Sequence, residues 1–161
     1  MDFKIRKMEE KDINQVQQVA IISWHTTYNG IIPVHVQDDF LRSAYSNEML
    51  QHRLRNSLML VSAVKDKIVG FANVSLLKEK MKAELAAIYI YPEYQGIGIG
   101  TQLLEEAIHC LSGVKEIYIN VEKENTIGKT FYEAKGFKLI DEFDDNFDGH
   151  VLKTIRMRLK L

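Results

Sequence analysis

Leu85-Ala86-Ala87-Ile88-Tyr89-Ile90-Tyr91-Pro92-Glu93-Tyr94-Gln95-Gly96-Ile97-Gly98-Ile99-Gly100-Thr101 changes its period halfway along. The first six residues read as a strand, which Pro92 stops. From Gly98 to Leu111 the apolar residues recur at helical spacing. Glycines 96, 98 and 100 fall where strand gives way to helix. Glycine lets backbone approach a ligand closely, and the free amides of a first helical turn point outward. The partial positive charge of that helix end favours an anion such as a pyrophosphate. Two glycines at a helix entry cost stability, which asks for a reason. The segment reads as a phosphate-binding loop, with a ligand-free glycine turn as the plain alternative.

The nature of the phosphate ligand stays open on spacing alone. A dinucleotide fingerprint needs G-x-G-x-x-G within a parallel βαβ unit. Here the glycines are spaced two and two, and antiparallel hairpins lead into the strand. Glu122 nevertheless falls about where a ribose-binding acid would stand. A P-loop requires G-K-[ST], which is absent.

Outward from this segment, Phe3 to Arg6 alternates as a short strand. Asp12 to about Tyr28 carries Ile13, Val16, Val19, Ala20, Ile21 and Trp24 at helical spacing. Asn29-Gly30 is expected to close that helix and Pro33 to keep it closed. Asn47 to Asn56 reads as a second, shorter helix. Leu58 to Val64 and Ile68 to Leu77 form a hairpin around Asp66-Lys67, and Glu84 to Ile90 is the next strand. Past the glycine helix come a strand at Val114 to Val121 and a helix at Thr126 to Lys135. Strands Phe137 to Phe147 and His150 to Leu159 flank an Asp148-Gly149 turn. The order β-α-α-β-β-β-α-β-α-β-β predicts the α+β class: a mixed, mostly antiparallel central sheet with helices on both faces.

The 161 residues suit one domain, 1–161, and 46% hydrophobic with 27% charged content is that of a globular chain. A formal net charge of −1 gives no global attraction to nucleic acid or anionic lipid, so neither is expected as a partner. The opening MDFKIRKMEE lacks the apolar run of a secretory signal. No stretch approaches the roughly 20 apolar residues of a membrane span. Cys110, the lone cysteine, excludes an internal disulfide and reads as a buried small hydrophobe. A cytoplasmic location is expected. The five histidines show no metal-ligand spacing, so no metal is expected.

Gln95-Gly96-Ile97-Gly98-Ile99-Gly100 matches the Q/R-x-x-G-x-G/A motif of the GNAT superfamily of N-acetyltransferases. Asn125, Phe131-Tyr132 and Gly136-Phe137 repeat that family's N-x5-F-Y-x3-G-F pattern. Trp24-x-x-Thr27-Tyr28-x-Gly30-x-Ile32-Pro33 is similar to the first-helix segment of many bacterial members. The resemblance covers nearly the whole chain. It implies an acyl-CoA N-acyltransferase fold with acetyl-CoA as co-substrate, and a homodimer is common among such proteins. Two departures stand out. The loop has no Lys or Arg among its glycines, leaving more of the binding to backbone amides, and Gly128 stands where many relatives have Ala.

The resemblance also implies roles. Backbone groups of Ile88 and Ile90, in the run Ile88-Tyr89-Ile90, would hold the pantetheine arm like an added strand. Gln95, Gly96, Ile97, Gly98, Ile99, Gly100 and Thr101 would hold the pyrophosphate, with Asn125 beside the cofactor. Tyr132 is the candidate general acid, since a phenol near pKa 10 can protonate or hydrogen-bond a thiolate of pKa about 8.5. Glu84, at the offset of the base in histone-acetylating relatives, is the candidate base; a solvated strand-edge acid is the bland reading. Trp24, His25 and Tyr28 would line the acceptor pocket, although Trp24 equally suits the core. The acids of Asp141-Glu142-Phe143-Asp144-Asp145-Asn146-Phe147-Asp148 would draw in a polyamine-like amine.

The leading expectation is acetyl transfer to a small primary amine such as a polyamine, by direct attack in a ternary complex. Protein N-terminal or lysine acetylation, a non-catalytic acyl-CoA sensor, and dinucleotide binding are the alternatives.

Overall fold

The computed structural model describes residues 2–79, 81–147 and 149–161. Chain order is β1 (Lys4–Lys7), α1 (Ile13–Tyr28), α2 (Val34–Ala44), α3 (Asn47–Asn56), β2 (Leu58–Val64), β3 (Lys67–Leu76) and β4 (Lys82–Ile90). Then follow α4 (Ile99–Cys110), β5 (Glu116–Glu122), α5 (Thr126–Ala134), β6 (Lys138–Phe147) and β7 (His150–Lys160). The strands form one sheet in the order β1-β2-β3-β4-β5-β7-β6. Every neighbouring pair is antiparallel except β4 with β5. The expected fold class stands, and element limits agree within a few residues. The Asp148-Gly149 turn involves Asp148, which lies outside the described residues.

One helix departs from expectation. Pro33, read as a stop, is the N-cap of α2, and its φ of −54° leads straight into the first turn. Val36, Phe40, Leu41 and Ala44 then recur at helical spacing and face the core. Proline blocks continuation of a preceding helix, yet it is tolerated where a new one begins.

Two cores clothe the sheet. Residues of α1, α2 and α3 pack on one face around Trp24, Leu50 and Phe71. Those of α4 and α5 pack on the other around Ile99, Leu103, Tyr132 and Phe137. Among the described residues no helix is long and apolar enough to cross a membrane.

The feature that creates a site is a β-bulge. Along β3 and β4, Asn73 pairs with Ala87 but Val74 pairs with Leu85, so Ala86 is an extra residue on β4. A bulge bends and twists its strand. Only Lys82, Ala83 and Glu84 then pair with β5, opposite Glu116, Ile117 and Tyr118. Beyond Glu84 the two strands part.

Candidate active site

A cleft of about 620 Å³ opens where β4 and β5 separate. Ala86 to Ile90 form one wall and Ile119 to Val121 the other. The N-terminus of α4 closes one end, and Tyr28, Asn125 and Tyr132 stand along it.

The β4 wall presents free backbone. The Tyr91 amide donates to Val69 O at 2.9 Å, which places the hydrogen-bonded pairs of β3 and β4 at 69/91 and alternate positions from there. The intervening Ile88 and Ile90 therefore turn their N–H and C=O groups toward the cleft. Ile90 O accepts from Ser23 Oγ and from Gln95 Nε2, each at 3.3 Å. Gln95 thus fastens the glycine loop to the strand.

The loop itself is built for an anion. Gly96 and Gly98 have φ of 79° and 95°, a left-handed region that L side chains rarely adopt. Gly98 is the N-cap of α4 and offers no capping side chain. The first amide of this end with a helical partner is Gln102 N, bonded to Gly98 O at 3.0 Å. The amides of Ile99, Gly100 and Thr101 are left pointing outward, together with the helix dipole. No Lys, Arg or His stands among the described residues lining the cleft, and Glu124 is its one acid. An anion at this end would meet neutral amide donors.

At the middle of the cleft, three phenols gather. Tyr132 is held on α5 by Phe131 and Phe137, with ring centroids at 5.3 and 5.4 Å and near-perpendicular planes. Burial raises its pKa, and the nearby Tyr28 adds to the effect. Tyr28 is pushed up to about 12 by burial, an effect that Asn125 and Tyr89 partly offset. Tyr89 is raised by burial too. All three remain neutral donors through the physiological range. Asn125 caps α5, its Oδ1 accepting from Gly128 N at 3.0 Å, so its Nδ2 remains a donor beside the cleft.

Gly128 now has a reason. A Cβ there would lie 2.7 Å from Asn125 Nδ2. Gly128→Ala is expected to leave stability nearly unchanged, because about 1 kcal/mol of helix propensity offsets a weakened cap of similar size. A cleft ligand that takes the displaced Asn125 donor should then bind about tenfold more weakly, the effect of losing one hydrogen bond of about 1.4 kcal/mol. Thermal unfolding and initial-rate kinetics would separate the two.

The structure does not bring every candidate to the cleft. Ile97 is 42% exposed and outside its lining. Trp24 is buried among Tyr28, Phe40 and Phe147, at centroid distances of 4.5, 4.4 and 5.9 Å. His25 Nε2 stands 3.2 Å from Asp38 Oδ1, tying α1 to α2. Glu84 is also outside the lining, and both its oxygens are engaged by Arg156 at 2.9 and 3.2 Å. Arg156 reaches on to Asn120 Oδ1 at 2.9 Å, and Asn120 does line the cleft. In the acidic hairpin, Glu142 pairs with Lys123 and Asp144 with Lys153, and none of the described acids 141–145 lines the cleft. Sequence reading missed Ser23, Thr27, Asn120 and Glu124. Ser23 and Thr27 lie four apart on one helical face, a signal that was present but weak.

Comparison with known proteins gives a consistent picture. The acetyltransferase (GNAT) domain profile matches residues 14–161. A spermidine N(1)-acetyltransferase of Thermoplasma acidophilum is 32% identical over 155 residues, covering 91% of this chain and 95% of the relative. The peptidyl-lysine N-acetyltransferase YjaB of Salmonella typhimurium is 33% identical over 118 residues, 70% of this chain and 75% of the relative. Among solved structures, the PaiA N-acetyltransferase of Thermoplasma acidophilum in complex with coenzyme A superposes with a TM-score of 0.90 at 30% identity, over 100% of both chains.

Proposed function

The chain belongs to the GNAT acetyltransferase family, and from that premise we propose that it transfers an acetyl group from acetyl-CoA to a primary amine of a small polyamine in a ternary complex. The observation that carries this reading is the convergence, in one cleft, of the unpaired β4 edge, the open amides at the start of α4, and Asn125 with Tyr132. A pyrophosphate fits the amides of Gly98 to Thr101, and an extended amide-bearing arm fits the edge at Ile88 and Ile90. Acetyl-CoA supplies the acyl group already activated as a thioester.

The chain's own groups do the rest. The Ile90 N–H faces the position of the thioester oxygen and is the donor for the oxyanion. Tyr132 gives its proton, or a hydrogen bond, to the departing sulfur. Asn125 holds the arm near that sulfur. Glu84 acts from behind, fixing Arg156 and through it the Asn120 side chain. Alignment of the two reactants within the cleft supplies most of the remaining acceleration.

A polyamine acceptor is supported by the spermidine-acetylating relative, which matches nearly end to end. A cleft with no cation and one carboxylate among its described lining residues is compatible with such an amine. The lysine-acetylating relative supports a peptide acceptor as the second reading. We place the reaction in the cytoplasm, where Cys110 stays reduced.

Purified protein with acetyl-CoA and spermidine should release free thiol and yield acetylspermidine by mass spectrometry. Turnover confined to lysine peptides would transfer the assignment to the second reading. Silence across amines and peptides would reject both.

A further inference from the structure

We propose that the hydroxyl oxygen of Ser23 holds the attacking amine, accepting one of its N–H groups beside the Ile90 peptide. This rests on the acetyltransferase reading above and assigns a residue which that reading leaves without a part.

A primary amine about to attack needs its lone pair free and an N–H group bound. That calls for a hydrogen-bond acceptor next to the thioester carbon. Several acceptors along the cleft are already taken. Ile90 O meets two donors, Ser23 Oγ and Gln95 Nε2, each at 3.3 Å. Asn125 Oδ1 accepts from Gly128 N at 3.0 Å, and Asn120 Oδ1 from Arg156 Nη1 at 2.9 Å. Glu124, the one acid of the described lining, is exposed to water.

Ser23 is different because of what its partner can do. A carbonyl oxygen only accepts, so in the contact with Ile90 the hydroxyl commits its single proton. Its two lone pairs remain, and among the described residues no donor meets them. The side chain is 3% exposed yet lines the cleft. Buried acceptors are ordinarily paired, which leaves this oxygen for a ligand N–H. Packing of α1 against β4 explains a small residue at position 23 but not a hydroxyl. Alanine would pack there with no polar group to bury.

The position suits the task. Ser23 reaches Ile90 from α1, 67 positions away in the chain. The Ile90 N–H and C=O leave β4 on the same side, toward the cleft, because the pairs bonded to β3 fall at 69/91 and alternate positions from there. The C=O carries Ser23, and the N–H is the oxyanion donor of the proposed mechanism. One strand residue thus sets two groups side by side. One receives the acyl oxygen, and the other steadies the nitrogen that attacks the adjoining carbon.

Ser23 takes no proton. The amine reaches it as the free base and gives it one N–H as a hydrogen bond. The nitrogen lone pair forms the C–N bond to the acetyl carbon, and the C–S bond breaks with its electrons on sulfur. Tyr132 gives that sulfur a proton, and the surplus proton on nitrogen restores Tyr132.

The test uses the full chain with acetyl-CoA and spermidine. Ser23→Ala should lower kcat/KM for spermidine about tenfold, the worth of one ordinary hydrogen bond, with KM for acetyl-CoA within about twofold. The infrared carbonyl stretch of bound, isotope-labelled acetyl-CoA reports on the Ile90 donor and should not move. Ser23→Thr keeps the hydroxyl and should stay within about threefold of wild type. Ser23→Cys, a weak acceptor of similar size, should reproduce the alanine loss, and it serves if the alanine variant does not fold. Three results would overturn the proposal while leaving the acetyltransferase reading in place. These are an alanine or cysteine variant within about threefold of wild type, no recovery with threonine, or a loss accompanied by a shifted carbonyl stretch, which would mean that Ser23 acts through Ile90 instead. A wild type that acetylates no amine would overturn both.

Discussion

Replacing Tyr132 by Phe should lower kcat about 1000-fold while CoA affinity stays within about threefold. The thiolate leaving the tetrahedral intermediate has a pKa of about 8.5 and departs into a cleft with no cation among its described lining residues. An unpaired charge there is costly, and in the proposed mechanism Tyr132, which lines the cleft, neutralises it. Burial raises the phenol pKa, so the hydroxyl is fully protonated at working pH and keeps its donor. Among the described residues that hydroxyl makes no hydrogen bond within the protein, so it is available to a ligand. The Phe131 and Phe137 contacts hold the ring in place, and phenylalanine preserves them. Stability should therefore change by less than about 1 kcal/mol. If kcat stayed within about threefold, Tyr132 would be a packing residue and the acid would have to be sought elsewhere.

Gly98→Val should weaken CoA binding several hundred-fold without unfolding the chain. Gly98 has φ of 95°, and a Cβ there would meet no atom within 4 Å. The substitution is thus a pure test of backbone conformation. A β-branched residue in this region is strained by more than about 1–2 kcal/mol, so the loop should relax away from it. Relaxation would turn aside the open amides of Ile99, Gly100 and Thr101. Loss of two charge-assisted hydrogen bonds at about 1.5–2 kcal/mol each is about 3–4 kcal/mol, or several hundred-fold in Kd. Calorimetric titration with CoA, beside a thermal melt, measures this directly. Unchanged affinity would mean that the pyrophosphate is held elsewhere.

Much of the architecture is legible in one dimension. The change of period around Pro92 and the glycines at 96, 98 and 100 locate the strand–loop–helix unit correctly. Periodicity also places α3 at its observed limits, Asn47–Asn56. The helix α2 escapes such a reading because Pro33 carries one signal for stopping and another for starting, and only the packing of Val36, Phe40 and Leu41 against the core decides between them. The bulge at Ala86 is not legible either. Two adjacent alanines, Ala86 and Ala87, leave no periodic trace of a register shift, which exists only relative to β3.

By itself the chain determined most of the segments that are strand or helix and where a glycine turn opens a helix, because propensity, period and glycine geometry act within a few neighbouring residues. Tertiary structure alone decided which acid is matched by a cation. Glu84 is matched to Arg156, 72 positions away in the chain, whereas Glu122 is buried with no cation beside it among the described residues. Charge pairing and desolvation depend on what the fold brings alongside, and no local pattern encodes that.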